Sequence, residues 1–313
     1  MLKGKAACFN CNGSQFRTKF DHVGSVYGGE YAILQCVQCS MAFVQESKLE
    51  RVDYSEYGDH ITSQDEGYYS ARVRRVSLPK RILFRWLRKR FGIGAAILDF
   101  GCGAGFFLKS CENYGFSDVW GVEPSKKLRR TAHGKLNVGC ERISEDLKSL
   151  DRQFDVIAML DVVEHLPASN IVQMMTDIVG HVKPGGVLLG TTPNLDSLNI
   201  RLFGHKDPVI APPQHSVYFS HKSLDSFLRK LGLRRRLLLG VDLSTSSFFR
   251  VRKFTPSWVE RPRGWQRPLA LLVSILFTVV GAILAPIGAG YGMYFIYEKP
   301  GLPRIGADPT ARP

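Results

Sequence analysis

Residues 97 to 105 read Ile-Leu-Asp-Phe-Gly-Cys-Gly-Ala-Gly, an apolar strand run that meets three glycines at alternate positions. A helix-like stretch, Phe106-Phe107-Leu108-Lys109, follows at once. No other segment restricts the fold as strongly. Glycine allows a sharp turn and leaves room for a ligand to approach the main chain. A turn between a buried strand and a helix puts that ligand at the carboxyl end of the strand, where open α/β sheets carry their sites. Many folds use a similar glycine run, so the order of the following segments carries the weight.

A second strand is expected over 115–122, ending at Glu123-Pro124. Glu123 stands about twenty residues after the glycines, where an acid can accept hydrogen bonds from both hydroxyls of a ribose and repel a phosphate. Pro124 stops the strand. A further strand, Phe154 to Leu160, runs into Asp161-Val162-Val163-Glu164-His165-Leu166-Pro167. A helix is expected over 169–181, closed by the turn sequence Lys183-Pro184-Gly185-Gly186. A buried strand then covers 187–194.

These pieces, with Gly121-Val122-Glu123-Pro124-Ser125 and Val182-Lys183-Pro184-Gly185-Gly186, resemble the class I S-adenosylmethionine-dependent methyltransferases. Gln214-His215-Ser216-Val217-Tyr218-Phe219-Ser220, then Ser223-Leu224 and Leu231-Gly232, match a branch that acts on small molecules. The resemblance covers roughly residues 70 to 242 and extends to a last strand near 291–300. A dehydrogenase fits poorly, because its third glycine should come one residue later. The resemblance implies an α/β fold: a Rossmann-like, doubly wound seven-stranded sheet, mostly parallel, with an antiparallel last strand. It implies that Gly101 and Gly103 let the backbone reach S-adenosylmethionine, that Asp99 orients the loop and the cofactor's amino group, and that Glu123 holds the ribose. Leu160 and Asp161 would lie beside the methionine moiety. Glu145, Asp146 and Leu147 remain alternatives for the adenine contact. Cys102 reads as a small packing residue.

Ahead of this unit stand Cys8-Phe9-Asn10-Cys11 and Cys36-Val37-Gln38-Cys39. Two Cys-x-x-Cys turns present four soft ligands, the set of a closed, structural tetrahedral zinc site. A segment this short cannot build an adequate core alone, so the metal would supply much of its folding energy. Free thiols and disulfides are the competing readings, and no secretory leader stands before them to favour disulfides. The arrangement is similar to bacterial methyltransferases of sugar and surface-polysaccharide pathways, in which a zinc module and a tyrosine-rich linker precede the catalytic domain. Tyr54, Tyr57, Tyr68 and Tyr69 populate that linker here, either to close over cofactor or to pack the two parts together.

An activated methyl carbon needs an in-line nucleophile and a base to take its proton. His215, in a polar turn beside Pro212 and Pro213, and His165, just past the fourth core strand, are the catalytic candidates. Bracing a loop is the structural alternative for both. His221 reads as a surface residue before a helix. The ubiquinone-pathway O-methyltransferases carry a similar acid-x-x-Glu-His run linked to a divalent metal, so Asp161, Glu164 and His165 form an alternative metal set, loosely suited to magnesium or manganese.

The 313 residues carry a formal charge of +14. One basic cluster, between Arg72 and Arg90, is interleaved with Ile82, Leu83, Phe84, Trp86 and Leu87, the pattern of a basic amphipathic helix at a membrane surface or of a solvated face. A second runs from Arg229 to Arg267. Residues 268–297 hold no charged side chain, and Leu269 to Leu284 is apolar enough for most of a bilayer span. A span there would strand the last β-segment on the wrong side, so a helical insertion that docks on a membrane or partner is expected. The expected organisation is a zinc-ribbon-like module at 1–48, a linker and basic helix at 49–92, a cofactor-binding core at 93–242, an apolar insertion and final strand at 243–300, and a disordered tail at 301–313. Nucleic acid is disfavoured as a partner, because Leu160-Asp161-Val162-Val163 stands where base-modifying enzymes carry an Asn/Asp-Pro-Pro-Tyr loop. The expected enzyme is cytoplasmic, associated with the inner face of the membrane, and methylates a sugar hydroxyl, nucleotide- or lipid-linked. The alternatives are a prenylated quinone precursor as acceptor, or a module that holds cofactor without catalysis.

Overall fold

The computed structural model describes residues 7–25, 28–45, 78–241 and 290–301, with the single positions 64, 68, 73, 264, 268 and 272. Tyr54, Tyr57, Tyr69, the Leu269–Leu284 run and the tail after residue 301 lie outside the described residues.

Three strands come first: β1 Phe16–Gly24, β2 Glu30–Cys36 and β3 Ala42–Val44. Helix α1, Leu78–Phe91, leads into β4, Ala96–Phe100, and α2, Phe106–Asn113. Then come β5 Asp118–Val122, α3 Lys126–Leu136, β6 Ile143–Ser144 and β7 Phe154–Leu160. Helix α4, Ile171–Gly180, precedes β8, Val182–Pro193, and α5, Leu198–Phe203. The described chain closes with β9 Val217–Tyr218, α6 His221–Lys230, β10 Arg234–Val241 and β11 Gly292–Glu298.

Seven strands form the main sheet in the order β10-β11-β8-β7-β4-β5-β6. Neighbours from β8 to β6 run parallel, while β11 is antiparallel to both β8 and β10. The expected mostly parallel sheet with an antiparallel last strand is therefore present. Its central strands are apolar on both faces, because helices cover each side: Ile97, Leu98, Phe154, Val156, Ile157 and Leu188 are all fully buried.

Two expectations change. The Lys183–Gly186 turn sequence does not precede a strand but lies inside β8. Phe154 pairs with Val182 and Val156 with Val187, so the extra residues bulge out and the strand resumes. The ends of that bulge are held by Lys299, whose carbonyl accepts from Gly185 and whose amide donates to Gly186. In α1, the apolar face is not free for a lipid surface. Phe84 and Leu87 are fully buried, and Phe84 stacks on Tyr114 at 4.3 Å and on Phe107 at 5.8 Å. Arg81, Arg85, Arg88 and Lys89 take the solvated face. Among the described residues, no helix is long and apolar enough to cross a membrane.

The front strands form a second sheet, β1-β2-β3-β9. Its fourth strand comes from the far half of the chain. Ala42 pairs with Tyr218 and Phe43 with Val217.

Candidate active site

Strands β4 and β5 end side by side, with Asp99 opposite Gly121 and Phe100 opposite Val122. The glycine loop begins there and is tied to β5 by the amides of Gly101 and Cys102, which both donate to the Val122 carbonyl. Gly101 has φ 76°, and a Cβ there would stand 2.7 Å from Val162 Cγ2. Any other residue there would be strained in its backbone and would have to push Val162 aside. Gly103 also has a positive φ, 54°, but a Cβ on it would meet nothing within 4 Å, so this is the open side of the loop. Cys102 packs as expected: its Sγ would lie 2.7 Å from a Cβ at Gly121.

Glu123 sits at the end of β5 and is 6% exposed. Its Oε2 accepts the Gly103 amide at 2.9 Å and its Oε1 the Ser125 amide at 2.8 Å. Arg129 donates to the Glu123 and Pro124 carbonyls and pairs with Glu145 at 2.8 Å. Arg129 was not legible as part of this site, because surface helices commonly carry arginine. Asp99, 3% exposed, is pushed up to about 8 by burial and by the charge of Glu123, against the pull of Lys80. Burial raises Glu123 as well, against the two amides and Arg129. Two buried acids thus flank the open side of the loop. A ligand carrying positive charge offsets the cost of ionising them.

At the end of β7, Leu160 is half-buried and pairs with Thr191. Asp161 is exposed with φ 56°, its amide bound to the Thr191 carbonyl and its Oδ1 accepting the Thr191 hydroxyl at 2.8 Å. A single 3-10 turn, Val163–His165, follows. Glu164 is 2% exposed, accepts the Thr192 hydroxyl at 2.9 Å, and is pushed up to about 8 by burial and by Asp161.

His165 and His215 lie together, ring centroids 4.7 Å apart and nearly perpendicular. His165 Nδ1 is 2.9 Å from the Gln214 carbonyl, and His215 Nδ1 is 2.7 Å from the Val209 carbonyl. A carbonyl only accepts, so both rings carry their proton on Nδ1, which leaves each Nε2 the basic nitrogen of the neutral ring. Burial lowers His165. Burial and the neighbouring His165 lower His215 to about 4. Ligand atoms of Glu164, His165 and His215 fall within 4.8 Å of one another. His215 lies inside that group and Asp161 outside it, although the Asp161 charge acts on both Glu164 and His165. Two imidazoles and one carboxylate suit a transition metal better than magnesium.

Around His215, Val209 donates to Asp207 Oδ1, and the Tyr218 ring is 6.3 Å away. Asp207 Oδ2 is buried without a hydrogen-bond partner, and the buried Tyr218 hydroxyl has the Ala211 backbone near it. Polarity in a loop did not single out either one. His221 is the first residue of α6 and half-buried, with a buried Nε2, rather than a surface residue.

The four front cysteines sit in two equivalent knuckles. Asn12 N donates to Cys8 O and Cys8 N to Gly13 O; Ser40 N donates to Cys36 O and Cys36 N to Met41 O. Asn12 and Ser40 both take positive φ, 60° and 62°. The four Sγ atoms lie within 4.8 Å of one another, with Cys8–Cys39 at 3.6 Å and Cys11–Cys36 at 3.5 Å. A zinc tetrahedron with bonds of about 2.3 Å has edges of about 3.8 Å, so the set fits such an ion. Burial raises the Cys8 and Cys39 thiols, a cost that a bound dication removes.

A family profile described as a methyltransferase domain matches residues 63–236. A ubiquinone biosynthesis O-methyltransferase of Rickettsia felis is 31% identical over 104 residues, covering 31% of this chain and 41% of that protein. The protein of the same description from Agrobacterium fabrum is 31% identical over 107 residues, covering 32% and 42%. The chain thus spans about two-fifths of the length of the curated relatives it matches. Among solved structures, an S-adenosylmethionine-dependent methyltransferase from Archaeoglobus fulgidus is similar at 20% identity and TM-score 0.46, covering 75% of this chain and 100% of that one.

Proposed function

The chain belongs to the methyltransferase-domain family, and on that premise we propose that it moves the methyl group of S-adenosylmethionine to a hydroxyl of a small-molecule acceptor. Gly101, Gly103, Asp99, Glu123, Leu160 and Asp161 hold the cofactor. When bound, it supplies a methyl carbon already activated by a sulfonium. Asp99 and Glu123 counter its positive charge, and the open side of Gly103 admits it.

The observation that carries this reading is the join between the two halves. Val162 packs on Gly101, and three residues later His165 meets His215. The neutral imidazoles are set to take the acceptor's proton on Nε2, with His215 as base and His165 beside it. The buried, unpartnered Asp207 Oδ2 beside the histidine pair supports an acceptor rich in hydroxyls, a sugar free or linked to a nucleotide or lipid. The names of the curated relatives favour a second reading, a prenylated quinone precursor. The Cys8–Cys11–Cys36–Cys39 set holds a structural zinc. The exposed arginines of α1 support contact with an anionic membrane surface at the cytoplasmic face, tested by flotation with anionic vesicles.

The deciding experiment incubates the protein and S-adenosylmethionine with sugar nucleotides and with quinone precursors, and identifies products by mass spectrometry. A methylated hydroxyl names the acceptor class. Cofactor binding with no S-adenosylhomocysteine from any hydroxyl acceptor would leave a module that holds cofactor without catalysis.

A further inference from the structure

The Cys module and the acceptor side of the site share one sheet. Only Ser40 and Met41 separate the last cysteine from β3. Strand β3 pairs with β9, and the Val44 amide extends that pairing by donating to the Ser216 carbonyl at 2.9 Å. Ser216 directly follows His215, and all its polar groups are engaged. Its amide donates to the Glu164 carbonyl, its hydroxyl donates to the Leu166 carbonyl, and its carbonyl accepts from Val44. Ser216 therefore clips three parts together: the turn that carries His165, the segment that carries His215, and the strand that leaves the second knuckle.

Both knuckles are also gripped by α6. Lys230 donates to the carbonyls of Phe9 and Asn10, and Lys222 donates to that of Gln38. The Asn10 side-chain Nδ2 donates to the Ser223 carbonyl. Phe9 packs on Phe43 at 5.6 Å and on Phe227 at 6.3 Å. These contacts all land on the knuckles' own strand or on residues 216–230. The cofactor loop is held differently, by β5 and Glu123.

We propose that the Cys8–Cys11–Cys36–Cys39 centre is a positioning device for His215: the bound metal fixes β3, β3 fixes β9, and Ser216 transmits the register to the histidine. The centre thereby acts directly on the acceptor side of the site, while the glycine loop keeps its own ties to β5 and Glu123. Its importance for methyl transfer rests on the reading of His215 given above, but its physical content does not. Four thiolates on one ion lock two turns that thiols in contact do not. Without the ion, β3 keeps its apolar packing and its pairing with β2, but its register against β9 rests on only two residue pairs and the Val44–Ser216 bond, a marginal ladder.

The full chain, labelled at histidine with nitrogen-15, tests this directly. Zinc is measured by elemental analysis, and the His215 ring signals are identified by their loss in His215→Gln. Affinity for S-adenosylhomocysteine is followed by calorimetry. Chelation, and equally Cys11→Ser, which touches no member of the Glu164–His165–His215 group, is expected to shift or broaden the His215 signals and to change that affinity by less than about threefold; restored zinc should bring the signals back in the parent and not in Cys11→Ser. Val44→Pro removes the amide that Ser216 accepts from, and is expected to disturb His215 while about one zinc per chain remains bound. Unchanged His215 signals on metal removal, loss of S-adenosylhomocysteine binding together with the metal, or a purified protein free of metal would each overturn the proposal. None of these readouts uses an acceptor, so a failure of the methyl-transfer reading is separately visible.

Discussion

The Gly103 amide donates to Glu123 Oε2 at 2.9 Å, so the open turn of the glycine loop and the acid twenty residues on (123 minus 103) form one hydrogen-bonded unit before any ligand arrives. The carboxylate has a double duty: it braces the loop and still offers lone pairs outward. Glu123→Ala should remove both, at about 1.5–3 kcal/mol for each charge-assisted bond. Affinity for S-adenosylhomocysteine in calorimetry should fall by about 100-fold or more. Glu123→Gln keeps one good acceptor but turns an NH2 toward an amide, and should fall between. Unchanged affinity in Glu123→Ala would remove the residue from the cofactor site.

Asp99 should make ligand binding release protons. Its folded value, about 8, is raised above the ordinary 3.8, so the ligand-free fold holds a proton there that the unfolded chain gives up. That contribution to stability is complete below about pH 4 and is lost as pH rises through about 8. Glu164 adds a parallel loss, so the comparison is with Asp99→Asn, whose melting temperature should decline less over that range. A cofactor ammonium favours the carboxylate. Binding of S-adenosylhomocysteine at pH 7 should therefore release up to about one proton, measured by calorimetry in buffers of different ionisation enthalpy. Asp99→Asn should release none from this group.

His215 should remain a base throughout the neutral range. Its value, lowered to about 4 by burial and His165, keeps the ring neutral above that point. Activity assayed on the identified acceptor should fall only as pH drops through about 4, rather than near the usual 6.5 of an exposed imidazole. His215→Gln should lower kcat by roughly 100-fold or more if the ring takes the proton. An acid limb near 6.5 that survives in His215→Gln would assign the base elsewhere.

Gly190 is a packing constraint, one residue before the Thr191 that holds Asp161. A Cβ there would stand 2.2 Å from the Met159 carbonyl oxygen and 2.5 Å from the Phe295 ring. Backbone of β7 cannot yield as a flexible side chain would, so Gly190→Ala should cost about 3 kcal/mol or more. The melting temperature should drop by roughly 6–12 °C. A melting temperature within a degree or two of the parent would contradict this packing.

The strands β4, β5 and β7 were legible because each is an apolar run that ends in a glycine or an acid, a signal written in consecutive residues. Asp99, Gly101, Gly103 and Glu123, the residues proposed to hold the cofactor, come together for the same reason: they sit at strand ends whose order along the chain is fixed. The Lys183–Gly186 segment misled because its residues favour a turn locally, whereas the backbone of Lys299, more than a hundred residues on, draws it into a bulge of β8. In α1 the alternation of charge and bulk could not reveal which face was already occupied. Phe84 and Leu87 are buried by α2 and its flanks, a partner no local pattern names.

The sequence by itself determined the sheet, the glycine loop with its paired acids, and the two cysteine knuckles, since each depends on spacing within a short stretch. Only the tertiary structure decided that His215 joins Glu164 and His165, and that β9 completes the sheet of the Cys module. Both are contacts between residues far apart in sequence. Such contacts are set by how buried surfaces and backbone hydrogen bonds are satisfied together in the folded chain, which no single segment encodes.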